Sequence, residues 1–492
     1  MIITDSVTIK MVETITSDRH VSGKILGLIA VLLGQFMLVL DATVVNVALP
    51  AMQADLGVAP GELTWITNAY LIAFGGLLLL FGRLGDRIGR RRVFVLGVEL
   101  FTLASIACGF ASNAPVLIAA RFVQGIGAAG ASSVILAIIA TEFPRPADRA
   151  KAMSGYAFVS VSGGSLGLFV GGLLTQALSW HWIFWINVPF GALALALVRR
   201  YLRAEPPAAT RAPIDVIGAV LVTVTAMTAI YGFVEAGATS WDAPAVRGAL
   251  ALAIALAVVF VTLEAARPHP LLPLRVFRIR GLVVTSVVRG FMAMGLYGVF
   301  FLATLDMSHT LGFAPLHVGL AFLPQTLTVA ALSLGGSAAL VQRFGAARVL
   351  VAGLAIAAAG VAIMAGLAVD EPYLPIRLGA HLLLGLGFGL AFLPLLTLAM
   401  ADVPAHDAGL GSAIINLSLQ LAAAVDIALL VTASSHRTRA LLDAGAPLRD
   451  ATVLGYRFAY QVALAGMLVG LTLAATLLRP NARARSAERL AS

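Results

Sequence analysis

The sequence predicts an all-α polytopic membrane protein, and three observations carry this prediction. Of the 492 residues, 60% are hydrophobic and only 12% are charged, and the mean hydropathy is +0.96. A soluble domain has roughly 25% charged residues and could not hide so much apolar surface from water. The apolar residues also form long continuous runs, whereas the strands of a membrane barrel would alternate over short segments. These observations argue against a soluble enzyme, a secreted domain or a disordered chain.

Fourteen apolar runs are long enough to cross a bilayer. A hydrocarbon core about 30 Å thick requires roughly 20 helical residues. The predicted spans lie near 25–47, 63–81, 93–111, 115–139, 153–177, 182–198, 214–233, 248–264, 281–305, 315–340, 348–368, 375–400, 410–432 and 454–478.

The loop charges predict the orientation. An even number of spans places both termini on one side, and eighteen loop Lys and Arg residues lie on that side against six on the other. Cytoplasmic loops carry the excess of positive charge, so both termini are expected in the cytoplasm. The same loops explain the net charge of +9. Because no basic face or aromatic-lined groove accompanies this charge, a nucleic-acid partner is not expected. The last hairpin, with four arginines on the opposite side, fits the rule least well.

A weak internal repeat predicts two bundles. Arg121 and Arg377 lie 256 residues apart, and each precedes closely spaced glycines. Transporters are commonly built from paired repeats, although Gly- and Ala-rich helices can also match by chance. The simplest layout is a cytoplasmic tail at 1–24, a six-helix bundle at 25–200, an inserted helix pair with linkers at 201–280, a second six-helix bundle at 281–478 and a tail at 479–492.

The short loop after the second span combines glycines with charges. We name residues 82–91 the latch loop, because a charge cluster here could break and reform as two bundles rock. Its aspartate could cap a helix or pair with an arginine of a neighbouring helix. The alternative is a topogenic signal, in which the arginines only hold the loop in the cytoplasm. The residues expected to act are Gly82, Asp86, Arg87, Gly89, Arg90 and Arg91.

The chain resembles the major facilitator superfamily over residues 25–478. The latch loop looks like the signature loop of that family. Asp41 to Pro50 and Trp180 to Pro189 are similar to motifs of its fourteen-span drug:proton antiporter branch, with His181 where arginine is common. The resemblance implies two six-helix bundles plus an inserted pair, and a multidrug or single-compound exporter driven by proton influx.

Asp41 is the main candidate for proton coupling and substrate binding. It follows an uninterrupted apolar run, and carboxylates in the membrane are costly enough to suggest a function. Low dielectric favours the protonated form of a carboxyl group and a nearby cation favours the ionised form, so alternating conditions can move protons. Arg121 is the expected partner, since an unpaired buried guanidinium is very costly, and Gln124 shares its helical face. In the family, the arginine that Arg121 resembles is implicated in proton coupling. The alternatives are an Asp41 that only ends its helix and an Arg121 that snorkels to the interface.

The fifth span is expected to pack closely against a neighbour. Small residues at every fourth position let helices approach each other, and here they are Gly163, Gly167 and Gly171 with Gly172 beside them. The family's antiporter motif has this pattern with a proline, where this chain has Leu168.

Two further membrane charges are candidates for coupling or substrate contact. Asp426 is predicted as a second proton or cation site. Arg289 could be its counter-charge or could pair with substrate. No metal-ligand cluster and no phosphate-binding loop is recognised, so no metal or cofactor is expected and ATP is not expected to drive the protein directly.

Three functions remain open at this point. The favoured one is a secondary exporter of hydrophobic, often cationic compounds in exchange for protons. The second is a dedicated exporter of one metabolite or antibiotic. The third, a non-transporting membrane sensor or scaffold, predicts no flux of any compound. None of these is an enzyme, and the expected partners are the small substrates, protons and the lipid bilayer.

Overall fold

A computed structural model describes residues 3–57, 60–202, 215–267, 270–313 and 315–478, and these residues form fourteen long helices without strands. Two of the helices, α10 and α12, contain a π-helical turn at which the backbone departs from helical geometry. The helices are α1 Ile3–Leu56, α2 Pro60–Ile88, α3 Arg90–Gly109, α4 Ala114–Glu142, α5 Pro146–Ala177, α6 Trp182–Tyr201, α7 Val216–Ala238, α8 Pro244–Ala266, α9 Arg280–Thr310, α10 (Pro315–Ala331, Leu332–Gly336 and Ser337–Phe344), α11 Ala346–Ala365, α12 Tyr373–Met400, α13 Ala408–Asp443 and α14 Leu448–Leu477.

Within the ranges given above, fourteen long helices correspond to the fourteen predicted apolar runs. Among the described residues, twelve helices are long and apolar enough to span a bilayer, all except α5 and α10. With 32 residues, α5 also exceeds the roughly 20 that a crossing requires. The prediction of an all-helical polytopic protein is therefore confirmed.

Several helices extend beyond the apolar runs that predicted them. The α1 backbone is helical from Ile3, within the segment expected to be a tail, and α13 continues to Asp443 although its apolar run stops near 432. The segment 3–22 contains neither glycine nor proline, so nothing in it interrupts a helix. Hydropathy marks the part of a helix that lies in lipid, and it does not mark where the helix ends.

The two six-helix bundles repeat the same close helix crossing. In the first bundle α3 packs on α4, where a Cβ at Gly127 would lie 2.4 Å from the backbone nitrogen of Phe101. In the second bundle α11 packs on α12, where a Cβ at Gly387 would lie 2.4 Å from the backbone nitrogen of Ala357. Gly127 and Gly387 belong to the glycine groups that follow Arg121 and Arg377. The weak sequence repeat therefore corresponds to equivalent packing.

The inserted pair α7 and α8 lies against the outside of the bundles. Its two helices pack on each other, and α7 also contacts α2 of the first bundle and α13 of the second. The bundles meet each other where α13 contacts α2 and α4, and where α5 contacts α10 and α12. The latch loop covers the last turns of α2, Gly89 and the start of α3, so most of the predicted loop is helical. It lies on what we call the latch side of the helices, and the other end is the far side.

Helix α5 packs on α1 through its predicted glycine positions. A Cβ at Gly171 would lie 2.7 Å from Cγ2 of Val44 and 2.9 Å from its carbonyl oxygen, and Gly163 and Gly167 meet α1 as closely. At Gly172 a Cβ would make only an ordinary contact, 3.8 Å from Val47. Gly172 therefore does not belong to the close-packed stripe in which it was expected. The side chain of Leu168 lies outside the described ones.

We expect Gly171→Ala to lower the stability of the protein and Gly172→Ala to leave it unchanged. The added methyl group at 171 overlaps the backbone of α1, and overpacking of this kind costs about 1–3 kcal/mol. Thermal unfolding of both variants in one detergent measures the difference. Equal melting temperatures for the two variants would contradict the packing described here.

Candidate functional site

Asp41 is fully buried on α1 and lies at the centre of a polar network on the far side of the first bundle. Its Oδ2 accepts a hydrogen bond from Nη1 of Arg121 on α4 at 2.6 Å. Its Oδ1 accepts from Nε2 of Gln124 on α4 and from Nδ2 of Asn187 on α6, each at 2.9 Å. All three neighbours act as donors, and this is the arrangement that an ionised, acceptor-only carboxylate requires.

Arg121 is held from several directions at once. Its Nε donates to the carbonyl oxygen of Ile66 on α2 at 3.1 Å, and its Nη1 donates to Oε1 of Gln124 at 2.6 Å. The guanidinium carbon lies 4.3 Å from the ring centre of Tyr70. Because Arg121 is fully buried, the structure excludes a snorkelling arginine. The expected pairing of Arg121 with Asp41 is present.

Two members of this network were missed in the sequence. Asn187 lies within the second quoted motif but was not assigned a role, and Ser105 on α3 carries no signal of its own. Both are fully buried, and Oγ of Ser105 accepts from Nε2 of Gln124 at 2.6 Å. The network thus joins α1, α2, α3, α4 and α6, and only their packing brings these side chains together.

A second buried ion pair occupies the far side of the other bundle. Arg377 at the start of α12 donates to the carboxylate of Asp306 near the end of α9, and both side chains are buried. Oγ1 of Thr310 donates to the other carboxylate oxygen of Asp306 at 2.8 Å. Sequence analysis matched Arg377 to Arg121 but overlooked Asp306, because this residue falls just past the predicted end of its apolar run. In both bundles, the arginine of the repeat is neutralised by an aspartate of that bundle's first helix.

The latch loop closes the two bundles against each other on the latch side. The carboxylate of Asp86 accepts hydrogen bonds from the backbone nitrogens of Gly409 and Leu410, at 2.8 and 2.9 Å, at the start of α13. A negative charge is stabilised there by the unpaired N–H groups and the dipole of the helix. Arg90 also donates to Asp86, at 2.9 Å. Asp86 therefore both caps a helix of the second bundle and pairs with an arginine, the two roles considered for it.

Glycine permits this close contact. A Cβ at Gly82 would lie 2.4 Å from Cβ of Ala413 and 2.8 Å from the carbonyl oxygen of Gly409. Gly89, between α2 and α3, has φ of 102°, which other residues rarely adopt. Arg91 donates to the carbonyl oxygen of Arg199 and so ties the loop to its own bundle. No described contact across the two bundles is assigned to Arg87.

A second aspartate reinforces this closure. Asp407, immediately before α13, accepts from Arg275 at 2.9 Å and from Arg83 of α2 at 3.5 Å. Asp407 is buried although both arginines are partly exposed. Charges of the first bundle and of the linker before α9 therefore converge on the start of α13, and sequence analysis did not identify Asp407.

Asp426 and Arg289 lie apart, so Arg289 is not the counter-charge of Asp426, which was one of the two alternatives considered for it. Asp426 on α13 faces Gly298 of α9, with Cβ 3.8 Å from the position of a Cβ at Gly298, and its Oδ2 has no hydrogen-bond partner. Arg289 instead contacts the carbonyl oxygen of Ile415, at 3.4 Å. Ile415 lies eleven residues before Asp426 on the same helix, a rise of about 16 Å. The helical offset separates two charges that hydropathy could not place relative to each other.

The fold and these contacts define a two-bundle membrane transporter, and the chain belongs to the major facilitator superfamily. The model of this family matches residues 31–425. The fold is similar to that of the human organic anion transporter MFSD10, with a TM-score of 0.65, 17% identity and coverage of 92% of this chain and 99% of that one.

The relatives include antibiotic resistance and export proteins. The chain is 38% identical to the puromycin resistance protein of Streptomyces alboniger, over 92% of this chain and 91% of that protein. It is 36% identical to the cephamycin export protein of Amycolatopsis lactamdurans, over 86% of each chain.

We expect Arg377→Gln to destabilise the protein by about 3–5 kcal/mol, because it leaves the buried charge of Asp306 without its counter-charge. The matched control is Arg449→Gln, which breaks a pair with Asp370 whose side chains are both more than half exposed. Exposed pairs contribute about 0–1 kcal/mol. Denaturation in mixed micelles compares the two variants. Equal losses of unfolding free energy would show that the pair of Asp306 and Arg377 contributes no more to stability than an exposed ion pair.

We expect Asp86→Asn to open the latch side more often, since it removes the charge that caps α13. Ser412 is buried one turn before Asn416, on the face of α13 turned toward the first bundle. The labelling rate of Ser412→Cys by a charged maleimide reports this opening, and the unmodified chain serves as the blank because its single cysteine, Cys108, is buried. Adding Asp86→Asn should raise the rate at least about fivefold, in line with a lost charged hydrogen bond.

The control for this experiment is Asp148→Asn, which removes a carboxylate from the first turn of α5 on the same side. Its labelling rate should equal that of Ser412→Cys alone. If Asp86→Asn also left the rate unchanged, the latch loop would be only a topogenic signal.

Proposed function

We propose that this protein is a secondary exporter of hydrophobic, often cationic drugs, driven by exchange for protons. The observation that carries the proposal is the fully buried Asp41, whose two carboxylate oxygens accept hydrogen bonds from Arg121, Gln124 and Asn187. A carboxylate in the membrane that is matched by movable donors can bind a proton in one conformation and release it in another.

The contacts of α4 support a link between bundle movement and proton binding at Asp41. With the latch side closed, both carboxylate oxygens of Asp41 accept hydrogen bonds, and withdrawal of one of these donors would free an oxygen for a proton. Arg121 and Gln124 both lie on α4, and α4 also contacts α13 of the second bundle. Rocking of the bundles would therefore move the donors that compete with the proton. Gln124, released from Asp41, would be free to hydrogen-bond a substrate.

Asp426 is proposed as a second proton or cation site. Its buried Oδ2 has no partner, so the carboxyl group can accept a proton without displacing a donor. Helix α13 carries both Asp426 and the latch contacts of Asp86, so a charge change at Asp426 acts on the helix that moves. If Asp426→Asn retained full proton-driven efflux, Asp426 would not be a second proton or cation site.

A dedicated exporter of one antibiotic is the second candidate. The relatives described above are named for a single compound, puromycin in one case and cephamycin in the other. Efflux measured across a panel of unrelated antibiotics separates the candidates, because protection confined to one chemical class favours the dedicated exporter.

The domain limits and the orientation also belong to this proposal. Fourteen helices place both ends of the chain on one side, and the latch side carries most of the loop arginines, so we place both termini in the cytoplasm. The inserted pair is assigned to 201–280, between bundles at 25–200 and 281–478. Protease access to a tag at either end in right-side-out vesicles would test the orientation.

We expect Asp41→Asn to abolish proton-driven efflux, because asparagine keeps the shape of the side chain but cannot carry a proton. In proteoliposomes with an imposed pH gradient, ethidium flux should fall at least tenfold. Asp370→Asn, which changes an exposed loop carboxylate, should transport as the unmodified protein does. Flux that is unchanged in Asp41→Asn, or that persists after an ionophore collapses the gradient, would remove proton coupling through this residue.

A further inference from the structure

Arg289 is a buried arginine at the junction of the two bundles, near mid-membrane. It lies nine residues from the start of α9 on the latch side, a rise of about 14 Å. The groups around it lie at similar depth on their own helices, since Tyr156 is ten residues from the start of α5 and Ile415 is seven from the start of α13. Half the thickness of a bilayer core is about 15 Å, so these groups meet close to its middle.

The charge of Arg289 is not matched by any acid in the described part of the chain. Its contacts are the carbonyl oxygen of Ile415 at 3.4 Å, the hydroxyl group of Tyr156 and the ring of Phe392, 5.4 Å from the guanidinium carbon. Its Nε is buried without a hydrogen-bond partner. Arg121 and Arg377 are as deeply buried, and each of them pairs with an aspartate.

The surroundings of Arg289 belong to both bundles. Tyr156 on α5 donates to Oδ1 of Asn416 on α13 at 3.4 Å, and Nδ2 of Asn416 donates to the carbonyl oxygen of Ser132 on α4 at 3.1 Å. These contacts join α4 and α5 of the first bundle to α9 and α13 of the second. When the bundles part, the same polar groups become the walls of the opening, with Arg289 among them.

We propose that Arg289 binds an anionic group of the transported compound, most simply a carboxylate. An unpaired guanidinium in the membrane is costly and marks a functional position, and its planar set of donors fits a carboxylate or another oxyanion. The unpartnered Nε supplies one such donor, and the neighbouring rings of Phe392 and Tyr156 suit an aromatic body. The inference rests on the proposed export function and extends its substrate class from hydrophobic cations to amphiphilic compounds that carry a negative group, zwitterions included.

A matched pair of dyes tests this assignment. Rhodamine 110 carries a free carboxylate, and rhodamine 123 is its methyl ester. Fluorescence polarisation with the purified full chain gives the affinity for each dye. We expect Arg289→Gln to weaken the binding of rhodamine 110 at least tenfold, as loss of a charged hydrogen bond does, and to change the binding of rhodamine 123 less than threefold. Arg289→Lys should restore part of the difference, since lysine keeps the charge without the planar donors.

Arg343→Gln is the control, because it removes an arginine that lies on the latch side of α10 beside Phe344. It should bind both dyes as the unmodified protein does. Equal losses for both dyes in Arg289→Gln would show a structural role and overturn the proposal, and so would an unmodified protein that fails to bind rhodamine 110. If added phosphatidylglycerol displaces rhodamine 110, the anion that Arg289 binds is a lipid headgroup, and the substrate assignment is wrong.

The same dyes separate this inference from the proposed function. Carboxylate-selective binding that depends on Arg289, in vesicles that show no flux under a pH gradient, would support the binding site and contradict proton-driven export. Proton-driven flux of rhodamine 123 without any binding of rhodamine 110 would support proton-driven export and contradict the anion-binding site at Arg289.

Discussion

A charge buried among membrane helices must be matched by another polar group, and this requirement organises the structure. The pair of Asp41 and Arg121 satisfies it by drawing hydrogen-bonding side chains from α3 and α6 and a backbone carbonyl from α2 into one network. In this conformation, the network holds the far ends of five helices together. The glycines of α5 then bring a further helix against the turns of α1 on either side of Asp41.

The second bundle also neutralises a buried charge with an ion pair, formed by different residues. Asp306 and Arg377 form its buried pair, and the glycine crossing of α11 with α12 repeats that of α3 with α4. The bundles nevertheless differ at their junction, where a transport cycle would require contacts that can open. On the latch side, Asp86 of the first bundle caps α13 of the second, and no ion pair among the described residues neutralises Arg289 between them. The residues proposed for coupling, for closure and for substrate contact thus lie at three depths of one structure.

The aspartate and arginine networks also limit what the closed conformation can do. Both carboxylate oxygens of Asp41 accept hydrogen bonds, whereas Oδ2 of Asp426 has no hydrogen-bond partner. In the proposed cycle, protons and substrate can influence each other through α4 and α13, which touch at the bundle junction. Export by exchange requires such a connection, because binding at one site must alter access to another.

The sequence by itself determined the helical membrane fold, the number of long helices and the choice of Asp41, Arg121, Gln124 and the latch loop as candidates, because hydropathy, loop charge and isolated membrane charges are local signals. Tertiary structure alone decided which charges meet. It added Asn187, Ser105 and Asp306 to the buried networks, attached Asp86 to a helix more than 300 residues away and separated Asp426 from Arg289. The physical reason is that a buried charge is visible in the sequence as a charged residue within an apolar run. Its partner comes from another helix and depends on how the helices pack.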